Sequence, residues 1–222
     1  MQYLYICRAI NTLLHKIIGQ IFYYVSLLLE ESAYEGSNET EIKYLTQKEV
    51  LSLFNAIENS GKLHSTRDLA IFRLAYRCGL RASEISMLKL ENYNINKGEI
   101  YCKRLKGSKN NTLRLDEKTK SVLDKYITEN EITSESQTIF TSQKNKPISR
   151  QTLDHLTKQY FSMASIQDKS KHHFHTIKHT TAVHLAECDM DIKELQWWLG
   201  HKSVTNTEIY FQFTTKTTRK DV

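Results

Sequence analysis

From Thr46 onward the chain is a succession of helix signals broken once, by two short β-prone runs at 99–105 and 112–115. Thr46 with Glu49 three residues later forms a capping box, and the spacing predicts a helix over 47–59 with Leu51, Leu53, Phe54 and Ile57 buried. Ser60 and Gly61 end it, and Ser65 or Thr66 opens a second helix whose residues Leu69, Ile71, Phe72, Leu74 and Ala75 imply deep burial. Gly79 interrupts the pattern, and a further helix restarts at Arg81. The two β-prone runs flank a basic stretch, 106–111, that reads as a hairpin tip. Helices are expected over about 117–129, 149–164, 176–187, 191–199 and 203–212. The fold class is therefore α+β and mostly α: a helical bundle carrying a small antiparallel hairpin or sheet.

The first 43 residues differ in character. Residues 17–29 are strongly apolar but fall short of the ~20 needed to cross a bilayer. No small-residue cleavage site follows, so a secretion signal is not expected. Residues 30–40 are polar and unpatterned and read as a linker. The division expected is 1–43, an apolar docking helix with an acidic linker, and 44–222, the main domain.

Charge narrows the partners. Lys and Arg number 31 against 25 Asp and Glu, a net +6. Residues 1–43 are net acidic, so the main domain is more basic than the whole, which favours a polyanion. Cys7, Cys78, Cys102 and Cys188 are scattered and read as reduced thiols in a cytoplasmic compartment or an organelle's stroma or matrix. His172, His173, His175 and His179 lack any recognised metal-ligand spacing, so neither metal nor cofactor is expected.

The chemistry concentrates near the C-terminus. His175 and Lys178, three apart, project near the start of one helix, where exposed N–H groups and the dipole favour an anion. An exposed, solvated pair at a helix end is the alternative for that segment alone. A buried stripe of Ile177, Thr181, Ala182 and Leu185 is expected along the same helix. Gly200 closes the next one, His201 follows, and Tyr210 comes nine residues later.

Five motifs stand in order: G-L-R-A-S-E-I at 79–85, L-K-G-S-K at 105–109, H-T-I-K at 175–178, L-G-H-K-S at 199–203, and Tyr210. Together they resemble the catalytic domain of the tyrosine recombinase (phage integrase, Xer-like) family over about 44–213. The resemblance implies metal-free breakage and rejoining of double-stranded DNA, by integration, inversion or resolution within a homo-tetramer. Tyr210 would attack the phosphate to leave a 3′-phosphotyrosine bond and a free 5′-hydroxyl. Arg81 and Lys178 would hold the non-bridging oxygens, and Lys106 would protonate the leaving oxygen, with Lys109 as second candidate. His175 would help accept the tyrosine proton or orient the phosphate, and His201 would donate a hydrogen bond. Glu84 would hold Arg81 or a helix end. Arg67, Lys103, Lys109, Lys146, Arg150 and Lys202 are candidates for contacts to the DNA backbone.

The sequence departs from the family in three ways. Lys178 stands where the family usually has arginine, which predicts slowed chemistry because an ammonium lacks the bidentate fork. The segment before the main domain is too short for the usual core-binding domain, as in fimbrial-type DNA invertases, whose R-A-S-E-I, R-L-K and I-S-R-Q segments are similar. Site choice would then call on an accessory DNA-bending or specificity protein. Only twelve residues follow Tyr210, few for an exchange with a neighbouring subunit. A DNA-binding regulator that does not cut, and a type IB topoisomerase-like nickase, are the other functions consistent with these motifs.

Overall fold

The computed structural model describes residues 42–105, 108–143 and 145–213. The expected apolar helix and linker before residue 42 lie outside the described residues, as do Lys106 and the last nine residues.

Eight α-helices and three strands are described. Helices α1 (Gln47–Glu58), α2 (Ser65–Cys78) and α3 (Ala82–Ser86) lead into strands β1 (Tyr93–Asn94), β2 (Glu99–Cys102) and β3 (Asn111–Arg114). Then follow α4 (Glu117–Glu129), α5 (Arg150–Met163), α6 (His175–Glu187), α7 (Ile192–Leu199) and α8 (Thr205–Phe211). The sheet is antiparallel in the order β1-β2-β3. Its outer pairing, Tyr93 with Ile100 and Asn94 with Glu99, is too short to leave a sequence pattern.

The capping box of α1 is in place: the Glu49 amide donates to the Thr46 hydroxyl at 3.2 Å and the Thr46 amide to the Glu49 carboxylate at 2.7 Å. The buried face of α1 is Val50, Leu53, Phe54 and Ile57. Leu51, expected inside, is 52% exposed, because the 3–4 spacing that aligns 53, 54 and 57 selects residue 50. Helix α2 packs against α1, α4 and α6, and α6 also meets α7 and α8.

Helix α6 is buried nearly all round rather than along one stripe: Thr176 to Ala186 are covered, apart from a half-buried His179. Its threonines are tolerated because their hydroxyls find carbonyl partners. Thr180 donates to the Thr176 carbonyl at 2.8 Å and Thr181 to the Tyr76 carbonyl at 2.6 Å. Burying this helix sets its first turns against the end of α7, through Lys178 and Leu199, and against Tyr210 of α8, through His179.

Candidate active site

Arg81, Ser108, His175, Lys178, His201, Lys202, Asn206, Ile209 and Tyr210 line one cleft of about 300 Å³. Five of the six residues singled out from the motifs therefore meet, although their sequence positions span 81 to 210. The sixth, Lys106, lies outside the described residues; Ser108, two positions on, lines the cleft. No carboxylate is among the lining residues.

Each cation is delivered by a helix boundary. Gly79 ends α2 at φ 58°, and a Cβ there would meet Leu199 Cδ2 at 2.8 Å, so glycine favours both the left-handed turn and the close approach of α2 to α7. The turn presents Arg81 at the N-terminus of α3. Its side chain donates to Glu84 Oε1 at 3.0 Å, and its amide to Glu84 Oε2 at 2.9 Å. Glu84 thus holds both the arginine and the helix end.

Behind Glu84 stands Arg104, with its side chain wholly buried. All five of its N–H donors find acceptors: Asn111 Oδ1, the carbonyls of Cys78, Gly79 and Trp198, and Glu84 Oε2, at 2.8 to 3.3 Å. One guanidinium therefore ties α2, α3, β3 and α7 together and fixes the carboxylate that orients Arg81. Sequence reading gave Arg104 no role, since a charge in a β-prone run beside a basic tip looks solvent-exposed. Gly200 closes the same junction: at φ 68°, an added Cβ would sit 2.6 Å from the Lys109 carbonyl and 2.8 Å from Arg104 Cγ. The Lys109 amide donates to the Gly200 carbonyl at 2.9 Å, anchoring the loop after residue 107 to the end of α7.

Lys178 is 1% exposed, and its ammonium donates to the Leu199 carbonyl at 3.2 Å. Burial, then Arg81 and Arg104, push its pKa down to about 7. The solvated reading of this position is thereby excluded. His201 accepts or donates at Nδ1 to the Thr207 hydroxyl, 3.0 Å away. Burial and the neighbouring Lys178, Arg81 and Arg104 lower its pKa to about 3, so it is neutral at physiological pH. A hydroxyl that donates to Nδ1 selects the Nε2–H tautomer, which can donate to a phosphate oxygen. Tyr210 is 3% exposed, and burial raises its phenol to about 12 against the opposing pull of Arg81.

The phenol's hydrogen-bond partner is His179 Nδ1, at 3.0 Å, rather than His175. His175 is exposed at the mouth of α6 and meets His179 edge-on, with ring centroids 4.4 Å apart. The signal for His179 was its i+4 spacing from His175, which puts both on one helix face; in the sequence it registered only as part of a histidine cluster. That cluster is dispersed, with His172 buried against the Ile166 carbonyl and His173 exposed. Among the described residues no group of three metal-ligating side chains forms.

The expected DNA-backbone contacts divide. Lys103, Lys109, Lys146, Arg150 and Lys202 are exposed, and Lys202 lines the cleft. Arg67 is a correction: it is buried, its Nε donating to Asp68 Oδ1 at 2.9 Å and its Nη1 to the Thr141 carbonyl at 3.3 Å. Asp68 is itself buried on α2 and needs that counter-charge, so Arg67 is not free for a duplex.

The architecture is shared with solved recombinase structures. It aligns with XerA recombinase at a TM-score of 0.71 and 23% identity, over 86% of this chain and 68% of that one. It aligns with the catalytic domain of bacteriophage HP1 integrase at 0.59 and 19%, over 82% of this chain and 95% of that domain. The fold is that of a tyrosine recombinase catalytic domain. The chain belongs to the Phage integrase family, which matches residues 43–217. It is 33% identical over 174 residues to a tyrosine recombinase of Agathobacter rectalis, covering 75% of this chain and 56% of that protein. It is 31% identical over 175 residues to tyrosine recombinase XerA of Pyrococcus furiosus, covering 78% and 58%. The chain thus spans little more than half the length of these relatives. Among the described residues, no helix is long and apolar enough to cross a membrane.

Proposed function

We propose that this protein is a site-specific DNA recombinase that breaks and rejoins strands through a 3′-phosphotyrosine bond. The observation that carries this reading is the cleft itself: Arg81, His175, Lys178, His201 and Lys202, all cationic or N–H-donating, line it with one buried phenol, and no carboxylate is among its described lining residues. Such a site suits the negative charge of a phosphodiester, and of its two hydroxyls, Ser108 and Tyr210, the phenol is the one with a histidine nitrogen at hydrogen-bond distance. Relatives point the same way; XerH recombinase, 20% identical at a TM-score of 0.69 over 89% of this chain and 62% of that one, is a complex with its palindromic difH substrate.

In this reading Arg81 and Lys178 neutralise the charge that grows on the non-bridging oxygens as Tyr210 attacks in line. His201 and His175 add hydrogen bonds, and Lys106 protonates the departing 5′-oxygen. The covalent bond conserves the energy of the phosphodiester, so a second 5′-hydroxyl can reverse the step without ATP. Exposed Lys103, Lys109, Lys146, Arg150 and Lys202 would grip backbone phosphates. Strand exchange between two duplexes calls for a tetramer, and an accessory DNA-bending protein would supply site choice.

The test uses nicked suicide duplexes drawn from DNA on either side of the protein's own coding sequence. A denaturant-stable protein–DNA adduct whose peptide carries the nucleotide on Tyr210, followed by recombinant product, is the expected result. An adduct with relaxation only would assign a topoisomerase-like nickase, and DNA binding with no adduct a regulator.

Lys178 sets the pH dependence of this chemistry. With a pKa near 7 in the DNA-free protein, its charge is lost as pH rises, whereas a guanidinium stays protonated throughout. A bound phosphate favours the charged form and opposes that loss. Lys178→Arg is therefore expected to speed single-turnover cleavage by about tenfold at alkaline pH, the worth of one charge-assisted hydrogen bond. The ratio of variant to parent rates should shrink as pH falls below 7. A ratio at or below one across the range would show that the buried pocket needs lysine.

A further inference from the structure

We propose that His179 is the proton acceptor for the Tyr210 nucleophile, a role that rests on the strand-cleavage reading above. The attacking phenol must give up its proton, and among the described residues the geometry offers one basic atom at hydrogen-bond distance. His179 Nδ1 lies 3.0 Å from Tyr210 Oη, within the range for direct transfer. Tyr210 is nearly closed to solvent, which limits bulk water as the acceptor. His175 makes no hydrogen bond to the phenol among the described contacts; its ring abuts that of His179, and it is exposed and lines the cleft.

The charged and titratable groups around His179 favour its neutral form. His175 and Lys178 come from its own helix, and Tyr210 comes from α8. Burial, then His175 and Lys178, hold its pKa down at about 4, so Nδ1 carries a lone pair at physiological pH. The phenol, at about 12, does not surrender its proton in the resting protein. The gap closes only as the oxygen bonds to phosphorus and as the phosphate's negative charge enters beside the imidazole.

The step balances. The phenol O–H bond breaks, its proton passes to Nδ1, and the oxygen's electron pair forms the O–P bond. The P–O5′ bond breaks, and that oxygen takes a proton from the general acid assigned to Lys106. In rejoining, an incoming 5′-hydroxyl gives its proton to the group that acted as general acid, the now deprotonated Lys106, and the departing phenolate recovers its own from His179. His175 is thereby left to orient the phosphate, one of the two roles its motif allows.

The experiment compares wild-type protein with His179→Asn and His179→Gln in single-turnover cleavage of the nicked duplexes, across pH 6 to 10. Asn places an acceptor oxygen near the position of Nδ1 and Gln one farther out, and neither can carry the proton. Both are expected to bind the duplex as wild type does and to melt within a few degrees of it. Their cleavage should fall by about 10²–10³-fold at neutral pH and recover, relative to wild type at the same pH, by about tenfold per pH unit as hydroxide replaces the lost base. A purely structural role would be rescued by Asn, with no change in the pH profile. Cleavage by both variants within threefold of wild type, with its pH profile, overturns the assignment to His179 alone. A wild-type protein that forms no Tyr210 adduct overturns the cleavage reading and this proposal together.

Discussion

Tyr210→Phe is expected to abolish the covalent adduct on nicked duplexes, a loss of more than about 10⁴-fold, because among the described residues Tyr210 is the cleft hydroxyl with a histidine nitrogen beside it. Ser108 also lines the cleft, but the hydrogen bond that aims a nucleophile is made to Tyr210. The phenyl ring keeps the aromatic packing that Tyr210 makes beside His201, with ring centroids 6.4 Å apart. What is lost from the fold is one hydrogen bond, worth about 1 kcal/mol, so the melting temperature should drop by only a few degrees. DNA affinity should stay within about twofold. Denaturing gels of single-turnover reactions check the first point, and a duplex gel shift the last. Persistent adduct in the Phe variant would place the nucleophile elsewhere and dismantle the mechanism.

The second large effect belongs to stability. Arg104→Met fills much of the arginine's volume yet removes five donors at once. Three backbone carbonyls and Asn111 lose a partner, and Glu84 keeps only Arg81 and backbone amides. Removing one partner of a buried ion pair typically costs about 3–5 kcal/mol. For a domain of this size each kcal/mol moves the melting temperature by roughly 2–4 °C, so a fall on the order of 10 °C is expected. Cleavage should weaken beyond the loss of folded protein, because Glu84 no longer fixes the Arg81 guanidinium. Thermal melts followed by adduct assays at a temperature where the variant is folded separate the two effects. A shift under 2 °C would mean that water replaces the arginine's bonds at little cost.

These two residues mark the limits of sequence reading. Tyr210 was found from the order of motifs around it, and the helices from local chemistry. The Thr46–Glu49 cap, the glycines at 79 and 200 and the β-prone runs each act through their near neighbours in the chain, so their structural meaning is visible there. Arg104 acts through Cys78, Glu84 and Trp198, which no local pattern links to it. Leu51 was misplaced because a run of apolar residues in α1 is compatible with two adjacent faces, and packing against α2 and α5 chose one. Arg67 was misplaced because the sequence shows a charge but not whether its neighbour Asp68 is buried.

By itself, then, the sequence determined the helical succession, the small antiparallel hairpin, the family and five cleft residues, all of which follow from short-range propensity or from ordered motifs. The tertiary structure decided the protonation and the partners. Lys178 lost its solvent and part of its basicity by being carried into the core on α6. The phenol of Tyr210 met His179 because α8 packs across that helix. Desolvation and through-space contacts depend on what folds over a residue, and that is set by every element of the domain together.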